Sequence, residues 1–358
     1  MNIRSGTKSI FLLVLCSCAL SASAAETIHG TVRNQTTGKA AAGDEVILLR
    51  LQNGMEEEAK TRTDAEGRFV LPLVSAEAPH VVRILHQGVN YDESVSGEAP
   101  LEIVVFDAVP RIRDLQADLG IAQVESDGEI LKITEMYSIV NEAVPQVTQS
   151  GPRNFEISIP PDAALDSVVV KRGGGIWVNV APVPLKGQQG RYAVDFPIRP
   201  GDTLFKFVYH LPYAGSMNLH VKPAYPVRNF AVMHPPSMSF KPSFSHAFTS
   251  PGLAQGLRIE KADAKHVVRE VPEFEIAGTG LAPVSKVSSS APSQDASAAH
   301  ASSNPGAPPP ESAPAAAGRS GIEAWALLSG VAALFTALAY AVWKKRKRMV
   351  RGLAAKNL

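Results

Sequence analysis

Met217, His220, Met233, His234 and Met238 are the residues with the most metal-like chemistry in the chain. Thioethers and imidazoles suit copper in an oxidising compartment. Met217, however, alternates with Leu219 and Val221 as a strand's inner face would, and methionine readily fills core gaps. The set therefore reads as packing, and no metal site is expected. Asp64 and Glu66 place two carboxylates in one turn. Calcium takes about 6–8 oxygens, so this pair reads as turn chemistry. Gly173-Gly174-Gly175 is followed by Ile176 rather than by a helix bearing Lys-Ser/Thr, which makes it a hairpin loop and not a phosphate cradle. Tyr209, Tyr213, Tyr225, Phe230, Phe240, Phe244 and Phe248 concentrate aromatic rings in the second half. Core packing accounts for most of them, with a sugar- or peptide-stacking face as the alternative for some. No Gly-x-Ser-x-Gly, Walker loop, dinucleotide fingerprint or His-Glu-x-x-His is present. Both cysteines, Cys16 and Cys18, lie near the N-terminus, so the remainder has no disulfide or thiolate nucleophile. The expectation is a non-enzymatic protein without a cofactor.

The elements that must position such residues are bounded by two hydrophobic segments. Residues 1–24 read as a secretory signal: Arg4 and Lys8, then apolar Ile10–Leu20, then Ala22-Ser23-Ala24. Cleavage is placed after Ala24 or Ala25. A lipoprotein signal ending at Cys18 is the rival, weakened by Cys16 within its recognition box. Residues 321–343 read as a transmembrane helix, because the uncharged Ala324–Trp343 covers about 30 Å as a helix. Lys344, Lys345, Arg346, Lys347, Arg348 and Arg351 follow in the basic tail 344–358 and mark the cytoplasmic side. The expected localisation is a bacterial cytoplasmic membrane, crossed once, with the N-terminal part outside and the tail inside.

Overall charge is balanced, with 35 Lys+Arg against 34 Asp+Glu, which argues against nucleic-acid binding. Residues 278–320 are mostly Ala, Ser, Pro and Gly and lack aromatics. Such a tract cannot bury enough apolar surface to offset its ordering entropy and reads as a disordered tether. Between signal and tether, short apolar runs alternate with turn residues. Thr27–Val32, Asp44–Leu49, Thr61–Thr63, Arg68–Leu71, His80–Leu85 and Leu101–Phe106 read as strands, with Asn53-Gly54 as a hairpin signal.

Gly30-Thr31-Val32, Gly43-Asp44-Glu45-Val46 and Thr63-Asp64-Ala65-Glu66-Gly67-Arg68-Phe69 carry a resemblance. Residues 25–110 resemble the carboxypeptidase regulatory-like domain, a transthyretin-like Greek-key sandwich related to collagen-adhesin B-type repeats. The resemblance implies an accessory module and no peptidase, since no His-x-x-Glu zinc pair is present. The turn motif itself is structural. Asp64 is placed to accept backbone amides, Gly67 to take a positive φ, and Phe69 to return into the core, with Thr63 opening the turn.

Residues 111–277 show period-two alternation again: Phe155, Ile157 and Ile159; Tyr192, Val194 and Phe196; Phe205, Phe207, Tyr209 and Leu211. Asp127-Gly128 joins Ile121–Glu125 to Glu129–Tyr137 as a hairpin. The reading is a second antiparallel β-sandwich, immunoglobulin-like, of eight or nine strands, with residues 234–277 at its periphery. The chain is thus expected to be all-β: two tandem antiparallel β-sandwiches on a tether with one transmembrane helix. Its partners are the lipid bilayer and an envelope protein, with a glycan as the alternative ligand.

Overall fold

The computed structural model describes residues 26–283, apart from 53, 75–76, 98 and 263–270. The cleavage residues Ala24 and Ala25, most of the tether, the span 321–343 and the basic tail lie outside the described residues. Among the described residues no helix is long and apolar enough to cross a membrane, and all elements are β-strands. The chain divides into two compact units between Ala108 and Val109.

In the first unit the strands are β1 (Thr27–Asn34), β2 (Lys39–Ala40), β3 (Glu45–Arg50), β4 (Glu56–Arg62), β5 (Arg68–Pro72), β6 (His80–His86), β7 (Val89–Ser94) and β8 (Leu101–Val105). β1 centres one sheet, antiparallel to β2 and β5 and parallel to β8. β4, β3, β6 and β7 form a second, antiparallel sheet in that order. Burial alternates along β1, so Ile28 and Val32 point inward. They share one apolar cluster with Phe69, Leu71, Ile103 and Val105 and with Val46, Leu48, Val82 and Ile84 of the other sheet. β7 is not among the strands read from the sequence. Its inward Val89 and Tyr91 are diluted by polar neighbours, and its turn is Gln87-Gly88, a weaker signal than Asn-Gly. Both turn residues have positive φ (48° and 80°), the two-residue geometry that matches strand twist.

The second unit begins within β9 (Ala108–Val109) and continues through β10 (Gln116–Ser126), β11 (Ile130–Asn141), β12 (Thr148–Gln149), β13 (Phe155–Ser158), β14 (Ala164–Arg172), β15 (Val178–Asn179), β16 (Val183–Pro184) and β17 (Arg191–Val194). β18 (Gly201–Pro212), β19 (Ser216–Leu219), β20 (Phe230–His234), β21 (Ser239–Pro242), β22 (Phe248–Ala254), β23 (Leu257–Ala262) and β24 (Phe274–Ala277) complete it. An eight-stranded sheet runs β15-β14-β18-β11-β10-β20-β23-β22, beside two three-stranded sheets, β13-β17-β16 and β19-β24-β21. Paired residues of antiparallel strands share a face, so Ile133 and Tyr209, Glu135 and Phe207, and Tyr137 and Phe205 point the same way. That face shares a core with Phe155, Ile157, Val194, Leu219, Phe274 and Ile276 of the small sheets. Leu119, Ile121, Met136, Met233 and Leu257 form a separate cluster.

Four expectations change. The sheets are not purely antiparallel: β1–β8 and β10–β20 are parallel pairs joining strands distant in sequence. Hairpins are legible locally, whereas such pairings are set by which edge a returning strand can reach. The immunoglobulin-like outline of eight or nine strands gives way to sheets of eight, three, three and two strands, the last being β12-β9. Residues 234–277 are not peripheral, since Phe248, Ala262, Phe274 and Ile276 belong to the main core. The folded unit also extends into the expected tether. Gly280 bridges Ser126, and the Ala282 amide donates to Glu125 Oε2 at 2.9 Å. Residues 278–283, which the sequence reading gave to the tether, therefore belong to the described fold.

Candidate functional site

The Thr63–Phe69 turn is built by side chains closing backbone gaps. Thr63 Oγ1 donates to the Ala41 carbonyl at 2.7 Å and accepts the Asp44 amide at 2.9 Å. Asp64 Oδ1 accepts the amides of Glu66 at 3.0 Å and Arg68 at 2.7 Å. Gly67 has φ +75° and its carbonyl accepts the Val32 amide at 2.7 Å. A Cβ on Gly67 would lie 2.4 Å from the Val32 carbonyl oxygen, so no side chain fits there. Phe69 is 3% exposed, with its ring against Gly30. The Arg68 guanidinium engages both Asp64 (2.9 Å) and Glu66 (2.8 Å), which gives the two carboxylates a cation from within the chain. The turn ties the start of β5 to β1 and to the segment before β3.

The Met/His set is divided by the fold. Met217 and Met238 pack on the main core, while Met233 belongs to the separate cluster. Among the aromatics, Tyr209, Tyr213, Tyr225, Phe230 and Phe248 are buried and Phe240 packs on the core, whereas Phe244 is exposed. Gly173-Gly174-Gly175 turns β14 into β15, as a hairpin loop does.

Two buried polar clusters were not legible in the sequence. In the first unit, His86 Nδ1 lies 2.7 Å from Asp44 Oδ2 and its Nε2 lies 3.5 Å from Asp107 Oδ1. In the second, the Glu135 carboxylate accepts the hydroxyls of Tyr137 at 2.5 Å and Tyr209 at 2.6 Å. Burial raises the Glu135 pKa, partly opposed by those two bonds. Lys206, held against the Trp177 ring at 5.7 Å, is pulled down by burial to about 8. Glu135 is enclosed by packed strands, whereas Asp107 and Trp177 remain partly exposed.

An accessible concave site lies on the outer face of β13. Phe155 and Ile157 point into the core, so Glu156 and Ser158 must point outward. β17 pairs with β13 and sets Arg191 opposite Ser158. Glu156 is held by two guanidiniums, Arg153 at 2.7 Å and Arg191 at 2.5 Å. Arg111 and Lys222 complete the walls of a cleft of about 540 Å³. Tyr225 and Asn154 form its floor: the Tyr225 hydroxyl donates to the Asn154 carbonyl and accepts Gln149 Nε2 at 2.7 Å. Burial raises the Tyr225 pKa, so the phenol stays protonated at neutral pH. Asn154 Oδ1 is buried without a hydrogen-bond partner. Four cations and one carboxylate thus line the cleft, and two of the cations, Arg153 and Arg191, are paired with that carboxylate. The sequence signal for this site is weak, because Arg111, Arg153, Arg191 and Lys222 are scattered singly along the chain and only folding gathers them.

No family model matches the chain, and no curated protein matches it. Among solved structures, an M1 zinc metallopeptidase from Deinococcus radiodurans aligns at 13% identity and a TM-score of 0.29. A substrate-bound mutant of that enzyme aligns at 12% identity and a TM-score of 0.28. Each alignment covers 46% of this chain and 43% of the other, so the match spans less than half the length of those enzymes.

Proposed function

We propose that the protein is a non-enzymatic, single-pass membrane protein of a bacterial envelope, presenting two β-sandwich units outside the cytoplasmic membrane and binding an acidic segment of a protein partner. The first unit is read as a carboxypeptidase regulatory-like module, on the strength of the Thr63–Phe69 turn and two sheets that share one core. The uncharged span 324–343 and the basic tail after it support the anchoring and orientation. The single observation that carries the binding reading is the cleft. Arg111, Arg153, Arg191 and Lys222 line it with one carboxylate, Glu156, and such a basic lining suits a carboxylate-rich ligand.

The reading is tested with the full chain tagged on its C-terminal tail and crosslinked in native membranes. One recurrent protein should co-purify with the wild type and be lost in the Arg153→Glu/Arg191→Glu double variant. Equal recovery by both chains would remove the cleft from the mechanism. Recovery of glycan without protein would favour the carbohydrate-binding alternative. Protease added outside the cytoplasmic membrane should remove both units and spare the tail; the opposite pattern overturns the orientation.

A further inference from the structure

β13 is the end strand of its sheet. Among the described residues it pairs with β17 on one side and with no strand on the other. The register decides which of its backbone groups stand unpaired. Ile159 continues that register opposite Gly190, and its amide donates to the Gly190 carbonyl at 2.8 Å. Hydrogen-bonded positions alternate along an antiparallel strand, so Phe155, Ile157 and Ile159 turn their N–H and C=O groups to β17. Glu156 and Ser158 turn theirs the other way. Asn154 has the same parity, and its carbonyl accepts the Tyr225 hydroxyl and Gln149 Nε2 (3.3 Å) on that far side. No backbone bond among the described residues closes the far side at Glu156 or Ser158.

This edge opens into the cationic cleft. Ile157 lines the cleft although its side chain is buried in the core, so the β13 backbone itself forms part of the wall. Unpaired edge groups are a template for another extended chain. Glu156 and Ser158 together offer two donors and two acceptors, enough for a segment of about three residues, about 10 Å long. In antiparallel addition, a residue opposite Glu156 or Ser158 exchanges both hydrogen bonds with it and turns its side chain to the same outward face. That face carries Arg191, set opposite Ser158 by the register, and Arg153, bonded to Glu156. A segment with every second residue acidic therefore brings backbone and charge into register together. A helical acidic segment would meet the cations and leave the edge unpaired.

Resting on the acidic-partner reading of the cleft, we propose that the partner's segment binds as an added antiparallel strand on the free edge of β13, with its alternate, outward-facing residues acidic. Full-length protein in a zwitterionic detergent would be titrated by fluorescence anisotropy with a labelled, acetylated eight-residue peptide alternating Glu and Val. The peptide should bind. N-methylation of every Glu removes the donors that face β13 and should weaken binding at least about tenfold. N-methylation of every Val removes the donors that face away and should leave binding unchanged. Ser158→Pro should also weaken binding with little change in melting temperature, since the N–H it removes faces away from β17 and edge strands accept proline there. The two methylated peptides carry the test on the wild type alone if that variant does not fold. Equal binding of the two methylated peptides, or full binding by folded Ser158→Pro, overturns strand addition and leaves the acidic reading of the cleft standing. If the Glu peptide does not bind, or a version with Gln in place of Glu binds equally, the acidic reading falls and strand addition of an acidic segment falls with it.

Discussion

Replacing Glu135 separates the two halves of the buried network in the second unit. The residue is 2% exposed on β11, shares its sheet face with Phe207, and accepts the hydroxyls of Tyr137 (2.5 Å) and Tyr209 (2.6 Å). Burial raises its pKa above the usual carboxylate range. A raised acid pKa means that the folded state holds the proton more tightly than the unfolded chain. The contribution is full below the unfolded value of about 4.3 and is lost as pH rises through the folded value. Glu135→Gln keeps an acceptor oxygen and abolishes the titration. Glu135→Leu leaves two buried hydroxyls without an acceptor, at about 1–3 kcal/mol each, or about 2–6 kcal/mol together. That is a large fraction of a typical total of about 5–15 kcal/mol. Urea unfolding of a fragment spanning residues 26–283 would be followed by Trp177, the only tryptophan before residue 284. Measured between about pH 4 and pH 8, the wild type should lose stability relative to Glu135→Gln as pH rises. Glu135→Leu should be the least stable at the acid end. The reasoning is refuted if Glu135→Gln retains the wild-type slope, or if Glu135→Leu matches Glu135→Gln throughout.

The turn of the first unit yields further expectations. Gly67→Val should destabilise that unit by more than the ~1–2 kcal/mol of left-handed backbone strain alone, because its Cβ meets the Val32 carbonyl oxygen at 2.4 Å. Phe69→Ala should cost about 3–5 kcal/mol; thermal melts showing no change in either variant would contradict the packing described. The Asp64 pKa is lowered, chiefly by the Arg68 amide. Its contribution is thus present above the unfolded pKa and lost as pH falls through the folded one, and Asp64→Asn should flatten the acid limb of the stability curve. Melting should be indifferent to added calcium or chelator, since Arg68 already engages Asp64 and Glu66. A melting temperature that rises with calcium would sink that reading.

How far the fold was legible can be argued from single residues. Asp127 and Gly128 announced a hairpin because the physics is local. Asp127 Oδ1 accepts the amides of Glu129 and Ile130 at 3.0 Å, and Gly128 takes φ +112°. The Thr63–Phe69 turn was readable for the same reason. β20 was opaque in a different way. Phe230 was read only as one of the aromatics and Met233 and His234 only as metal-like residues, and the strand's parallel place beside β10 depends on which edge of β10 stands open once β11 has paired with the other. Residues 278–283 were misread because Gly278, Thr279 and Gly280 look like linker. What holds them is Ser126 and Glu125, more than a hundred residues earlier in the chain.

Alternation of side chains is a property of adjacent residues, so the all-β class, the inward face of β18 and the turn chemistry were present in the order of the amino acids. A site is a property of proximity in space. Arg111, Arg153, Arg191 and Lys222 carry no mutual signal along the chain, and each alone would be an ordinary solvated cation. They become a cleft because β13 turns Glu156 outward and β17 pairs beside it. Glu135 likewise looks like an outward residue of a strand until pairing sets it on one face with Phe207. Long-range register assigns those faces, and register is settled by the whole core at once, which local sequence does not encode.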